Sequence, residues 1–221
     1  MKNFKLLLLG LCVMLCACST QTRTTTQTNE YGTNWQWDNG TIVVDTPERP
    51  AEQKSVLGLT TPKMEGVRVG FVGLGMRGPG AVERFTHIPG TQVVALCDYE
   101  ESRAERCQKY LKNASLPKAA VYSGEKGYEE LCKRNDIDLV YIAADWLHHF
   151  PVAMCALENG KHVAIEVPSV MSLQQCWDLI NMSEKTRKHC MMLENCCYDW
   201  IEMNTLNLAH QGVFGEVIRA Q

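Results

Sequence analysis

A doubly wound α/β domain with a parallel sheet is the fold this chain predicts, and three observations predict it. Short β-branched runs alternate with helical segments from Gly66 to about Asn195. The first run, Val67-Arg68-Val69-Gly70-Phe71-Val72, passes straight into Gly73-Leu74-Gly75-Met76-Arg77-Gly78 and a helix. The second run ends at Asp98, twenty-five residues after Gly73. Alternation at this spacing requires right-handed crossovers, which put helices on both faces of a parallel sheet.

Each element has its own warrant. Val67 to Val72 is a short β-branched run, consistent with a buried parallel strand. Met76 to Phe85 is expected as the following helix, Gln92 to Cys97 as the second strand, and Glu100 to Lys112 as a charged amphipathic helix. Ala119 to Tyr122 is a short strand, and Tyr128 to Arg134 a short helix. Ile137 to Ala143 is a strong strand, followed by a helix from Phe150 to Asn159 with Gly160 just past its end. His162 to Ile165 is the next strand. Ser172, with Gln175 three residues on, opens a helix with a capping box. Met191 to Leu193 is strand-like, Tyr198 to Gln211 helical, and Val217 to Gln221 begins a further strand at which the chain looks cut short.

The 221 residues are 45% hydrophobic and 21% charged, enough apolar surface for a real core. A formal net charge of −3 gives no dominant basic face, which argues against nucleic acid as a partner. Met1 to Lys5 is basic and Leu6 to Ala17 apolar but short for a membrane span. The ending Leu15-Cys16-Ala17-Cys18 resembles the lipobox of bacterial lipoproteins, which implies cleavage before Cys18 and a lipid anchor on it. An uncleaved anchor or an ordinary secretory signal is the alternative. Either way the chain is expected to be exported, and a lipoprotein would reside on the periplasmic side or in the outer membrane, touching membrane only through its anchor.

The expected organisation is thus a signal over 1–18, a linker and N-terminal arm over 19–65, the α/β domain over 66–195, and a linking helix with the start of a further domain over 196–221. Within the arm, Gln21 to Asn29 is a Thr/Gln-rich tether. Tyr31 to Met64, with Trp35, Trp37 and three prolines, is an ordered arm of undefined path. Beyond the signal stand Cys97, Cys107, Cys132, Cys155, Cys176, Cys190, Cys196 and Cys197. No Cys-x-x-Cys pair occurs among them, so no zinc site is expected, and they are expected mainly buried and free, as small hydrophobes.

The chemistry gathers at strand ends. Gly73 allows a tight turn, Gly75 lets a diphosphate approach the backbone, and Gly78 lets helix and strand pack closely. The helix N-terminus then offers unpaired N–H groups to phosphate. Asp98 is placed to accept hydrogen bonds from ribose hydroxyls and to repel a 2′-phosphate, which favours NAD over NADP. Ala143 to His149, Glu166-Val167-Pro168 and Glu194-Asn195 follow later strands and fall on the same carboxyl edge. Adjacent His148 and His149 point apart and do not read as a metal pair. Asn195 could direct its amide to the nicotinamide ribose or carboxamide.

The glycine run, Cys97-Asp98, Gly160-Lys161-His162-Val163 and Glu166-x-Pro168 together resemble the Gfo/Idh/MocA superfamily of NAD(P)-dependent oxidoreductases. Gly75-Met76-Arg77-Gly78, Trp146-x-x-His149, Glu166-Val167-Pro168, Glu194-Asn195-Cys196-Cys197-Tyr198 and Gln211-Gly212-Val213-Phe214-Gly215-Glu216 are similar to glycoside hydrolase family 109, which contains α-N-acetylgalactosaminidases. The resemblance implies a Rossmann domain whose NAD contacts fall on Met76, Arg77, Asp98, Trp146, Leu147, His148, His149, Glu166, Val167 and Asn195. It departs at Ala144-Asp145, where the family has Thr-Pro, and at His148, where it has an aromatic residue. Dehydrogenases of the superfamily carry a lysine between Glu and Pro; here Val167 cannot titrate, as in the hydrolase branch.

That branch implies an NAD-retaining reaction on a glycoside: a hydride leaves sugar C3, the ketone acidifies the C2 hydrogen, the leaving group is eliminated, water adds, and the hydride returns. It also implies a second, mostly antiparallel α/β substrate domain, essentially missing here, with the catalytic Tyr and His beyond Gln221. The fragment alone is expected to bind NAD weakly or not at all and to be inactive. The alternatives are an NAD-dependent sugar or polyol oxidoreductase of the same superfamily, and a non-enzymatic lipoprotein with a degenerate Rossmann domain.

Overall fold

The computed structural model describes residues 26–28, 34–45, 49–216 and 218. The expected signal, with Cys18, and most of the tether lie outside the described residues. So does the expected last strand except Ile218, which is in no strand. The chain divides into two compact units, one up to Thr46 and one from Pro47.

In the first unit β1 (Gln27–Thr28), β2 (Asn34–Asp38) and β3 (Thr41–Val44) form an antiparallel sheet. Asn39 and Gly40, both at positive φ, turn β2 into β3, the chemistry of a two-residue hairpin. Gln27 and Thr28 are therefore strand, not tether. They are recruited by pairing with Trp35 and Asn34, a contact that their polar composition does not announce.

The second unit runs β4 (Val67–Val72), α1 (Gly78–Phe85), β5 (Thr91–Asp98), α2 (Glu101–Asn113), β6 (Ala120–Ser123), α3 (Gly127–Lys133), β7 (Leu139–Ile142), α4 (Trp146–Glu158), β8 (His162–Ile165), α5 (Leu173–Thr186), β9 (Cys190–Met192) and α6 (Trp200–His210). Its sheet has the order β6-β5-β4-β7-β8-β9 with every pair parallel. Strand order reverses between β4 and β7, and ligands of open α/β sheets bind at such a switch point.

Side chains alternate across the pleat. Val69, Phe71, Leu96, Tyr141 and Ala164 face one core with Ala81, Val82 and Leu111 of α1 and α2. Val72, Ala95, Val140, Ile142, Val163 and Ile165 face the other with Leu131, Ala153 and Leu157 of α3 and α4. In the first core Phe71 stacks on Tyr141 at 5.1 Å between centroids, and Phe85 meets both rings edge-on. At the amino end of the sheet the Arg68 side chain makes a two-pronged ion pair with Asp138, at 2.9 and 2.7 Å, while its backbone N–H also donates to Asp138.

Residues 49–61 bind the sheet's far flank. Arg49 pairs with the buried Glu184 of α5, and Gln53 donates to Glu184 and Asn181 at 2.6 and 2.9 Å. Thr61 reaches His189, just before β9.

Several expected details shift. α1 starts at Gly78, because Met76 and Arg77 belong to the glycine turn. α4 starts at Trp146 rather than Phe150: Asp145 caps it, accepting from the Leu147 and His148 N–H groups at 3.0 and 3.2 Å. Pro151 stands inside this helix, where its missing N–H forfeits the bond to the carbonyl four residues earlier. Ser172 caps α5 through the Gln175 N–H, but Gln175 reaches back to the Met171 N–H, one residue before the expected partner. The segment read as one helix from Tyr198 is a 3-10 turn (Asn195–Tyr198) followed by α6. Of the eight cysteines three are buried, three half-buried, and Cys196 and Cys197 exposed, so thiol burial is less complete than expected.

Candidate functional site

A cleft of about 500 Å³ opens at the carboxyl ends of β4, β5, β6, β7 and β8. Its floor is the glycine turn. Gly73 sits at φ +90°, where a Cβ would fall 2.3 Å from the Ala144 nitrogen, so both the backbone conformation and the neighbour demand glycine. A Cβ on Gly78 would lie 2.0 Å from the Gly73 carbonyl oxygen; Gly78 therefore holds α1 against the turn and does not itself line the cleft. Gly75 is exposed, and a Cβ there would meet only the Arg103 guanidinium, at 3.5 Å. The N-cap residue of α1, Arg77, makes no side-chain cap bond.

Asp98 is nearly buried and held on both oxygens. The Leu74 N–H donates to Oδ2 at 2.6 Å and the Glu100 N–H to Oδ1 at 3.0 Å. The carboxylate thus faces the glycine turn, and with about four lone-pair sites it keeps acceptor capacity beyond these two bonds. Burial pushes the neighbouring Cys97 thiol up to about 12, so no thiolate nucleophile is available here.

The other end of the cleft is built by β7, β8 and α4. The Tyr141 hydroxyl donates to Glu166 Oε1 at 2.9 Å; burial first, and that carboxylate second, push the Tyr141 hydroxyl up to about 12. His149 is buried at 1% exposure, and its Nδ1–H donates to the Pro168 carbonyl at 2.8 Å. A carbonyl only accepts, so in the neutral imidazole Nε2 carries the lone pair; that buried nitrogen has no hydrogen-bond partner among the described residues. His148 Nδ1–H donates to Asp145 Oδ2 at 2.7 Å. Burial opposes ionisation of Asp145, but His148 and the capped N–H groups outweigh it and hold its carboxyl below the usual range.

The cleft brings together Gly73, Gly75, Met76, Arg77, Asp98, Trp146, His148, His149, Glu166 and Val167. Leu147 and Asn195 do not line it. Leu147 projects from the first turn of α4 at 78% exposure, and Asn195 stands on the exposed 3-10 turn rather than at a strand end. Tyr99, Arg103, Gly124, Glu125 and Tyr128 line the half nearest β6, and sequence reasoning missed them. Gly124, directly after β6, was the available signal; Arg103 reaches the cleft only because α2 packs beside the glycine turn.

These features fit a dinucleotide. A bare glycine surface and an uncapped helix start suit a diphosphate, two arginines supply counter-charge, and an unpartnered buried acceptor awaits a donor. Fold and cleft together define a nucleotide-binding domain of the dehydrogenase type.

Residues 67–194 match the model of the Gfo/Idh/MocA oxidoreductase family, NAD-binding Rossmann fold, and the chain belongs to that family. Over its whole length it is 79% identical to glycosyl hydrolase family 109 protein 5 of Phocaeicola vulgatus, covering 43% of that protein. It therefore spans less than half the length of this curated relative. Among solved structures, the fold is shared with a myo-inositol dehydrogenase from Lactobacillus casei in complex with NAD(H) and myo-inositol, at TM-score 0.60 and 24% identity over 68% of this chain and 43% of that one. It is shared likewise with a 3-ketoreductase mutant from Actinomadura kijaniata in complex with TDP-benzene and NADP, at TM-score 0.58 and 24% identity over 69% and 46%.

Proposed function

We propose that this chain supplies the NAD-holding domain of an exported glycosidase related to the α-N-acetylgalactosaminidases of family 109, the sugar being held by a second α/β domain. The observation that carries this reading is Val167. It sits beside Glu166 in the cleft, and among the described lining residues there is no lysine. Superfamily dehydrogenases carry a lysine at this position to move the substrate hydroxyl proton, whereas the hydrolase branch carries valine. Here the position offers only a methyl pair, and any hydride transfer must send that proton to another group. The 79% identity to a glycosyl hydrolase family 109 protein supports the same choice.

The chain's own residues would hold the cofactor in order along the cleft. Gly73 and Gly75 receive the diphosphate against the first turn of α1, with Arg77 as counter-charge. Asp98 accepts from the adenosine ribose hydroxyls. Met76 and Trp146, exposed at 90% and 59%, would cover the dinucleotide at the cleft mouth. In the neutral imidazole His149 Nε2 carries no proton, so it accepts from a hydroxyl or amide N–H and cannot donate to phosphate. Glu166, held by Tyr141, fixes the nicotinamide end beside Val167. When bound, NAD supplies a reversible hydride acceptor for sugar C3, so glycoside cleavage proceeds with no net cofactor change. The lipid anchor on Cys18 and the limits 1–18, 19–65, 66–195 and 196–221 belong to the same proposal.

The test is made on protein extended to the relatives' length. Denaturation releases NAD, and an α-GalNAc aryl glycoside is cleaved without accumulating NADH. Net NADH formation on a free sugar, with no glycoside cleavage, would instead establish a sugar or polyol oxidoreductase. Absence of both cofactor and turnover would establish a non-enzymatic binding module.

A further inference from the structure

Arg103 lies on the first turn of α2 and lines the cleft. Its Nη2 donates to Glu100 Oε1 at 2.9 Å, and its Nη1 stands 3.7 Å from Asp98 Oδ1. The same nitrogen lies 3.5 Å from where a Cβ on Gly75 would be. The guanidinium therefore occupies the corner between the glycine turn and the strand-end carboxylate, where an adenosine ribose bound to Asp98 would present its 2′ position.

A carboxylate in this corner repels a 2′-phosphate, whereas a nearby arginine accommodates one. This chain has both. Asp98 is fixed by the Leu74 and Glu100 N–H groups and stays in place. Arg103 is tied only to the exposed side chain of Glu100 and more loosely to Asp98. A guanidinium has five N–H donors and stays charged at any working pH, so donors remain for a phosphate after Glu100 is served. Local charge is then two carboxylates against one guanidinium, which ranks a bare ribose first without closing the site to a phosphorylated one.

We propose that Arg103 sets cofactor selectivity: it lets the cleft admit NADP as well as NAD, and Glu100 limits this by competing for the guanidinium. The proposal rests on the dinucleotide reading above and deepens it.

The experiment is direct calorimetric titration of the protein extended to the relatives' length with NAD and NADP, needing no turnover. Arg103→Ala is expected to raise the Kd for NADP by about tenfold or more while changing that for NAD by less than about threefold, as loss of a charge-assisted bond made by one ligand only requires. Glu100→Gln is expected to act oppositely and tighten NADP relative to NAD. Arg103→Gln, which keeps most of the length of the side chain, should behave as Arg103→Ala. Equal weakening of both ligands would assign Arg103 to the shared diphosphate and overturn the proposal, as would an unchanged NADP to NAD ratio. If the unaltered chain binds NAD but not NADP, the selectivity proposal fails alone; if it binds neither, the dinucleotide reading fails with it.

Discussion

The hydroxyl of Tyr141 donates to the carboxylate of Glu166 at 2.9 Å, across the gap between β7 and β8. Tyr141 is packed between Phe71 and Phe85, so its hydroxyl has little freedom and Glu166 inherits that rigidity. Tyr141→Phe keeps the stacked rings and removes only the donor. NAD affinity is expected to fall by about three- to tenfold, the worth of one typical net hydrogen bond, with little change in the thermal midpoint. Titration of NAD into the variant checks this, and an unaltered Kd would show that Glu166 is aligned without Tyr141.

Gly78→Ala would place a methyl carbon 2.0 Å from the Gly73 carbonyl oxygen. The turn and α1 must separate, so we expect a stability loss of about 2 kcal/mol, in the range of core overpacking, together with loss of dinucleotide binding. Urea unfolding and ligand titration measure the two effects. A variant that keeps both would mean that the close approach at Gly78 is dispensable.

His149 carries a buried nitrogen without a partner among the described residues. His149→Phe fills similar volume but removes both the bond to Pro168 and the free acceptor. Binding of NAD is expected to weaken by about tenfold or more. ADP-ribose titration then locates the contact: if the acceptor serves the nicotinamide end, ADP-ribose affinity changes far less than NAD affinity.

Asp138 gives a pH-dependent term. The Arg68 guanidinium holds its carboxyl below the usual range, outweighing burial. A depressed native value adds stability that is present above the unfolded value of about 3.9 and disappears as pH falls through the native one. Asp138→Asn is therefore expected to lower the urea midpoint near neutrality and to flatten the acid limb, the two proteins converging once the pH lies below the native value. Parallel acid limbs would contradict this coupling.

The sequence by itself determined the layered fold and much of the cleft. Short β-branched runs and helical stretches are local signals, and Gly73, Gly75 and Asp98 are read from spacing because strand ends and turns are defined by near neighbours along the chain. The same locality explains the errors. Pro151 discourages a helix locally and so delays the expected start of α4, whereas the Asp145 cap that opens it is a side-chain contact. Asn195 follows an apolar run and so reads as a strand end, but β9 stops at Met192.

Only tertiary structure decided which polar groups meet. Arg103 beside Asp98 and Gly75, Tyr141 on Glu166, and His149 on Pro168 join residues 5 to 28 positions apart, and their distances depend on the helix and strand packing of the sheet. Side chains on different elements carry no mutual spacing rule in the chain. Their chemistry is set by packing in three dimensions.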